Sequence, residues 1–196
     1  MIVLGVTGGI GCGKSTVSKI FESLGCVVFN SDLEAREILN SQAIRKDLLD
    51  MFGPELLSGG EIDRKRIASK VFNDAEMLSK LNYLIHPAVA AKFSEFKQKN
   101  QNAIIIKEAA ILFETGTYRQ NDKNLLVVAP KHTRMQRVMA RDGISELEFE
   151  RRLANQWPDE KKIPLADFVI DNEGEKFLIP QVMSVYQELK TIRNHA

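Results

Sequence analysis

Thr7-Gly8-Gly9-Ile10-Gly11-Cys12-Gly13-Lys14-Ser15-Thr16 decides how this chain folds, because an apolar run, Ile2-Val3-Leu4-Gly5-Val6, precedes it and a helical pattern follows it. The run reads as a strand buried on both faces, as the strands of parallel sheets are. From Lys14 onward Val17, Ile20, Phe21 and Leu24 recur at helical spacing, and Gly25 stands where a C-terminal cap belongs. Strand, glycine loop and helix are therefore consecutive. The order glycine, four residues, glycine, lysine, serine lets backbone N–H groups curl around phosphates while the helix N-terminus adds positive potential. Gly9, Ile10, Gly11, Cys12 and Gly13 supply that backbone. Lys14 is placed to neutralise the β- and γ-phosphates, the Ser15 hydroxyl to join the shell of a Mg²⁺ ion, and Thr16 to reach the α-phosphate. A dinucleotide fingerprint is excluded, since Lys14 or Thr16 stands where its last glycine is required.

Working outward, further strands are expected at Cys26 to Phe29, Ala103 to Lys107, Asn124 to Ala129 and Phe168 to Ile170, separated by helical patterns. Alternating elements of this kind predict an α/β fold of three layers, a parallel five-stranded sheet flanked by helices. The interval 31–102 shows helical patterns such as Ile44, Leu48 and Phe52, then Leu78, Leu81 and Ile85, and no convincing strand. It reads as a helical insertion, with His86-Pro87 ending one of its helical segments. A second charged interval, 131–162, ends in the hinge-like stretch Pro158 to Pro164 and reads as a mobile helical lid. The expected organisation is a nucleotide-binding core of 1–34, 101–130 and 163–196, a helical region of 35–100 and a lid of 131–162.

Composition narrows the partners. Among 196 residues, 27 Lys and Arg oppose 26 Asp and Glu, and a net charge of +1 supplies no field that gathers nucleic acid or an anionic membrane. Cys12 and Cys26 lack metal-ligand spacing and fit reduced thiols in a cytoplasmic protein. No window approaches the roughly 18 apolar residues of a membrane span. A monomer or weak homo-oligomer is expected.

Several side chains then fit phosphoryl transfer. Asp32 follows the second strand, at the edge where open α/β sheets bind ligands, and a carboxylate there can take the proton of an attacking hydroxyl; an N-cap is the competing reading. Glu108 ends the third strand, placed to orient Mg²⁺ or its waters. Arg134, Arg137 and Arg141 share one helical face, and cations over the transferring group are what the chemistry needs, with Arg141 the preferred choice. Asp171-Asn172-Glu173-Gly174 suits a loop contacting adenine. Leu57-Ser58-Gly59-Gly60-Glu61 mimics a transporter-ATPase signature but leads to no acidic strand and reads as a loop.

Taken together, the glycine loop, Asp32 to Arg36, Leu84-Ile85-His86-Pro87, Ile111-Leu112-Phe113-Glu114, Arg141-Asp142, Gln156 and the stretch Ala166 to Gly174 resemble the dephospho-CoA kinase family over nearly the whole chain. The resemblance implies transfer of the ATP γ-phosphoryl group to the ribose 3′-hydroxyl of dephospho-CoA, the last step of coenzyme A synthesis, with Mg²⁺. It implies Asp32 as base and Lys14 and Arg141 as catalytic cations. Asn172 and Gly174 fall to the nucleotide, Arg36, His86, Glu108 and Leu112 to the substrate side, and the helical region 35–100 becomes a substrate-binding insertion that takes CoA. The family usually carries Asp-Ala-Asp where this chain has Asn30-Ser31-Asp32, and often a proline where it has Ala110. Another small-molecule or nucleotide kinase, or a silent nucleotide sensor, are the alternatives.

Overall fold

The computed structural model of the chain describes residues 1–71 and 74–195 and divides into two compact units, 1–30 with 100–196 and 31–99. In the first unit, β1 (Ile2–Thr7), β2 (Val27–Asn30), β5 (Ile104–Glu108), β6 (Lys123–Val128) and β7 (Phe168–Asp171) form one sheet in the order β2-β5-β1-β6-β7. Every pairing is parallel. The expected five strands are thus present, each within a residue or two of its expected bounds. The sheet order reverses on the two sides of β1, which makes the end of β1 the switch point of the fold.

The pleat sorts the side chains into two faces. Ile2, Leu4 and Val6 of β1, with Ile104 and Ile106 beside them, pack against Val17 and Phe21 of α1 (Lys14–Ser23) and Val182, Val185 and Leu189 of α9 (Leu178–His195). Both faces of β1 are buried, as its unbroken apolar run requires. Gly25, at φ 88°, closes α1 by donating its N–H to Glu22 O at 2.9 Å, the left-handed cap its position in the sequence indicates. The interval after β6 carries α6 (Lys131–Asp142), α7 (Glu146–Ala154) and α8 (Asp159–Lys162).

The second unit has its own core of Ile38, Ile44, Leu48, Phe52, Leu56, Ile67, Leu81 and Ile85, drawn from α2 (Ser31–Asn40), α3 (Gln42–Phe52), α4 (Arg64–Val71) and α5 (Ala75–Lys99) with the turn at Leu56. Lys92 of α5 pairs with Glu34 and Glu37 of α2 at 2.7 and 3.3 Å. Two expectations are corrected here. The stretch read as a loop is a small antiparallel hairpin, β3 (Leu57–Ser58) and β4 (Glu61–Ile62), turning through Gly59 and Gly60 at φ 60° and 86°. Two successive positive φ angles are the signature of a tight hairpin turn. And α5 does not end at His86-Pro87 but runs through Pro87. Both Pro87 and Tyr83, whose carbonyl loses its partner there, lie on the exposed side of α5, where water can satisfy it.

Candidate active site

The glycine loop bridges the C-terminal end of β1 and the first turn of α1, with Gly13, at φ 97°, as the residue preceding the helix. Its shape is set from several sides. Within it, Cys12 N–H donates to Gly9 O at 3.1 Å, and Lys14 Nζ arches back to Gly8 O at 2.9 Å. From outside, Ile10 N–H donates to Gln156 Oε1 at 2.8 Å, and Asn172 Nδ2 donates to Cys12 O at 2.8 Å. The glycines are also packing residues. A Cβ on Gly9 would run into the Arg134 guanidinium, one on Gly11 into the Arg134 backbone, and one on Gly13 into the Asn172 amide. The α6 helix therefore lies directly against the loop.

Among the three arginines of α6, the structure separates what sequence spacing could not. Arg134 is buried beside Gly9, with its guanidinium 3.8 Å from Asp159 of α8. Arg137 donates to Asn172 O at 3.1 Å. Arg141, the preferred sequence choice, lies at the far end of α6, largely exposed and paired with its neighbour Asp142 at 2.7 Å. Arg152 reaches Asp142 and Glu148. Arg134 Nε and one Arg137 guanidinium nitrogen are buried without a hydrogen-bond partner among the described residues.

Glu108 ends β5 with little exposure and shares register rows with Val6 of β1 and Asn30 of β2. It continues the row of Ile104 and Ile106, which faces α1, so its carboxylate and the first-turn Ser15 belong to the same side of the sheet. A hydroxyl and a carboxylate are hard oxygen donors of the kind that hold Mg²⁺ together with water and phosphate oxygens. The residues present fit that ion.

Leu112 is fully buried, and a Cβ on Gly5 would meet its methyl group, so it forms the floor behind β1. Glu114, two residues on, is a side chain named only as part of a motif. Its Oε1 accepts the Trp157 N–H at 2.9 Å and stands 3.1 Å from Nζ of Lys162, which is 0% exposed. Only tertiary structure brings those positions together. Cys12 is buried beneath the loop, and burial pushes its thiol well above the ordinary value, a shift that nearby Lys14 opposes. Gly174 takes φ 112° in the loop after β7, where a glycine is needed.

In the second unit, Asp32 lies in the first turn of α2, where a carboxylate is favoured by the helix dipole, and Arg36 stands one turn further on, exposed. His86 lies exposed on α5, and such burial as its ring has lowers its pKa from the usual histidine value, favouring the neutral imidazole.

A parallel five-stranded sheet with a glycine-rich loop between its central strand and the following helix defines the P-loop nucleotide-binding fold. The dephospho-CoA kinase family model matches residues 2–177. A dephospho-CoA kinase of Chlorobaculum tepidum is 41% identical over 201 residues, covering 97% of this chain and 96% of that protein. The crystal structure of TT1252 from Thermus thermophilus superposes with a TM-score of 0.88 at 34% identity, covering 96% of this chain and 97% of that one. Dephospho-CoA kinase from Campylobacter jejuni gives 0.69 at 31% identity, with 95% and 96% covered. This chain belongs to the dephospho-CoA kinase family.

Proposed function

We propose that the chain transfers the γ-phosphoryl group of ATP in line to the ribose 3′-hydroxyl of dephospho-CoA, giving CoA and ADP. The observation that carries this reading is the loop from Gly8 to Ser15, braced between β1 and α1 at the switch point of the sheet, in a member of this kinase family. Between Gly9 and Thr16, the loop N–H groups that are not already bonded within the protein, as those of Ile10, Cys12 and Thr16 are, hold the phosphates together with the α1 N-terminus. Lys14, now bonded to Gly8 O, has the reach to swing to the β- and γ-oxygens. Asp32, the second residue after β2, takes the proton of the 3′-hydroxyl and aims it. Ser15 and Glu108 would hold a Mg²⁺ ion through oxygen atoms or waters, and that ion would supply charge neutralisation to the phosphates. Asn172 and Gly174 border the adenine.

The region 35–100, with Arg36 and His86, carries the CoA portion, and 131–162 closes as a lid. Arg134 and Arg137 are the lid cations adjacent to the loop, and Arg141 has to leave Asp142 to join them. Buried Cys12 and Cys26 and the small net charge support a cytoplasmic enzyme that works without nucleic acid or membrane; none of the described helices is long and apolar enough to cross one. The test is ADP release with Mg-ATP and, in turn, dephospho-CoA, adenosine, AMP, shikimate and gluconate. Saturable turnover with dephospho-CoA alone is expected. Turnover with another acceptor, or ATP binding without turnover, overturns the proposal.

A further inference from the structure

Gln156 is the point at which three segments meet. Its Oε1 accepts the Ile10 N–H of the glycine loop at 2.8 Å, and its Nε2 reaches Ala110 O, in the segment after β5, at 3.4 Å. Gln156 itself belongs to the trailing end of the 131–162 interval. The next residue, Trp157, is fixed by its own N–H to Glu114 Oε1 at 2.9 Å. Five residues on, the fully buried Lys162 ends α8 with Nζ 3.1 Å from the same carboxylate oxygen. A buried ammonium is tolerated only beside an opposite charge, so Glu114 and Lys162 have to remain together. The segment from Trp157 to Lys162 is thus moored at both ends on one carboxylate, and Gln156 is presented from a fixed base.

The glycine loop needs such a base. Gly8, Gly9, Gly11 and Gly13 give it more backbone freedom than any other stretch of the chain, and freedom lost on binding ATP weakens the complex. We infer that Gln156, anchored through Glu114, is a positioning residue for the ATP phosphates: it holds the Ile10 peptide so that the N–H groups beyond it stay turned towards the ligand. Glu114 and Lys162 act only through that contact, since their charges are spent on each other. The inference rests on the reading that ATP phosphates occupy this loop.

The first test replaces Gln156 by the similarly shaped Met, which accepts no comparable bond. In the nucleotide-free Gln156→Met protein, amide exchange at Ile10, followed by NMR, is expected to accelerate by about tenfold. The ATP dissociation constant rises by about tenfold, the KM for dephospho-CoA stays within about twofold, and the melting temperature falls by no more than about 4 °C. Unchanged Ile10 exchange and ATP affinity in the folded variant, or tighter ATP binding, overturn the inference.

The second test examines Glu114. Because Glu114→Ala alone strands the Lys162 charge, it is combined with Lys162→Met. That double variant is expected to weaken ATP as Gln156→Met does, and adding Gln156→Met to it to cost less than about twofold more. Fully additive losses overturn the role of Glu114. If the double variant does not fold, Gln156→Met decides alone. Failure of the underlying reading looks different, for the parent protein then binds no ATP whatever stands at position 156.

Discussion

Asn172 donates its side-chain amide to the Cys12 carbonyl at 2.8 Å while its own carbonyl accepts from Arg137, so one asparagine ties the loop after β7 to the phosphate-binding loop and to α6. Asn172→Ala should cost about 1 kcal/mol of stability, the net worth of a hydrogen bond, and weaken ATP by roughly three- to tenfold. Asn172→Asp, which cannot donate and places negative charge beside the phosphates, should be the worse variant. Thermal melts and ATP titrations of the two variants check the order.

Gly9 and Gly11 both face Arg134, but they meet different parts of it. At Gly9 the obstacle is the end of a flexible side chain, so Gly9→Ala should recover stability when combined with Arg134→Ala. At Gly11 the obstacle is backbone, and φ is 80°. Gly11→Ala should therefore lose roughly 1–3 kcal/mol of stability and gain nothing from Arg134→Ala. Denaturant melts of the four variants test this, and equal rescue at both positions would contradict the assigned packing.

Asp32→Asn keeps the size of the side chain and removes the base. Turnover should fall by roughly 10²–10⁴ while the ATP dissociation constant changes by less than about threefold. Parallel losses in both quantities would make Asp32 a structural residue.

Glu108→Gln removes one oxygen charge from the face that α1 covers. Half-saturation should need about tenfold more Mg²⁺ at fixed ATP, and chelation by EDTA should stop turnover of the parent enzyme. An unchanged Mg²⁺ requirement would free Glu108 from the metal.

The two thiols give a pH signature. Burial pushes Cys26 up to about 11 and raises Cys12 as well, while unfolded cysteine ionises near about 8.5. Because the folded chain keeps these protons longer, their contribution to stability is complete below about pH 8.5 and is lost as pH rises towards the folded values. Iodoacetamide at pH 7.5 should label neither thiol in the native protein and both after denaturation. Rapid native labelling of Cys12 would show that the loop opens.

The sheet and the loop were legible because their signals are local: apolar runs ended by glycines, and a fixed spacing to Lys14. The hairpin at Leu57–Ser58 and Glu61–Ile62 was not, since strands of two residues carry no periodicity. The continuity of α5 was missed because Pro87 usually breaks a helix, and only the solvent exposure of that side tells otherwise. Spacing put Arg134, Arg137 and Arg141 on one face of α6 but could not say which turn abuts the loop. That depends on where α6 lands on Gly9 and Gly11. Gln156 and Glu114 carried no local signal at all beyond their motifs, because their contacts join distant segments.

The central place of β1 also governs how the protein comes together in time. Ile2 lies beside Ile104, and Leu4 beside both Ile106 and Lys123, so the strand that leads into the phosphate loop has no partner until distant segments return to it. Pairing across such separations is slow, whereas each helix of 31–99 closes its backbone hydrogen bonds within its own segment. On refolding, helical signal should therefore precede the recovery of ATP binding, with the nucleotide site among the last features to mature.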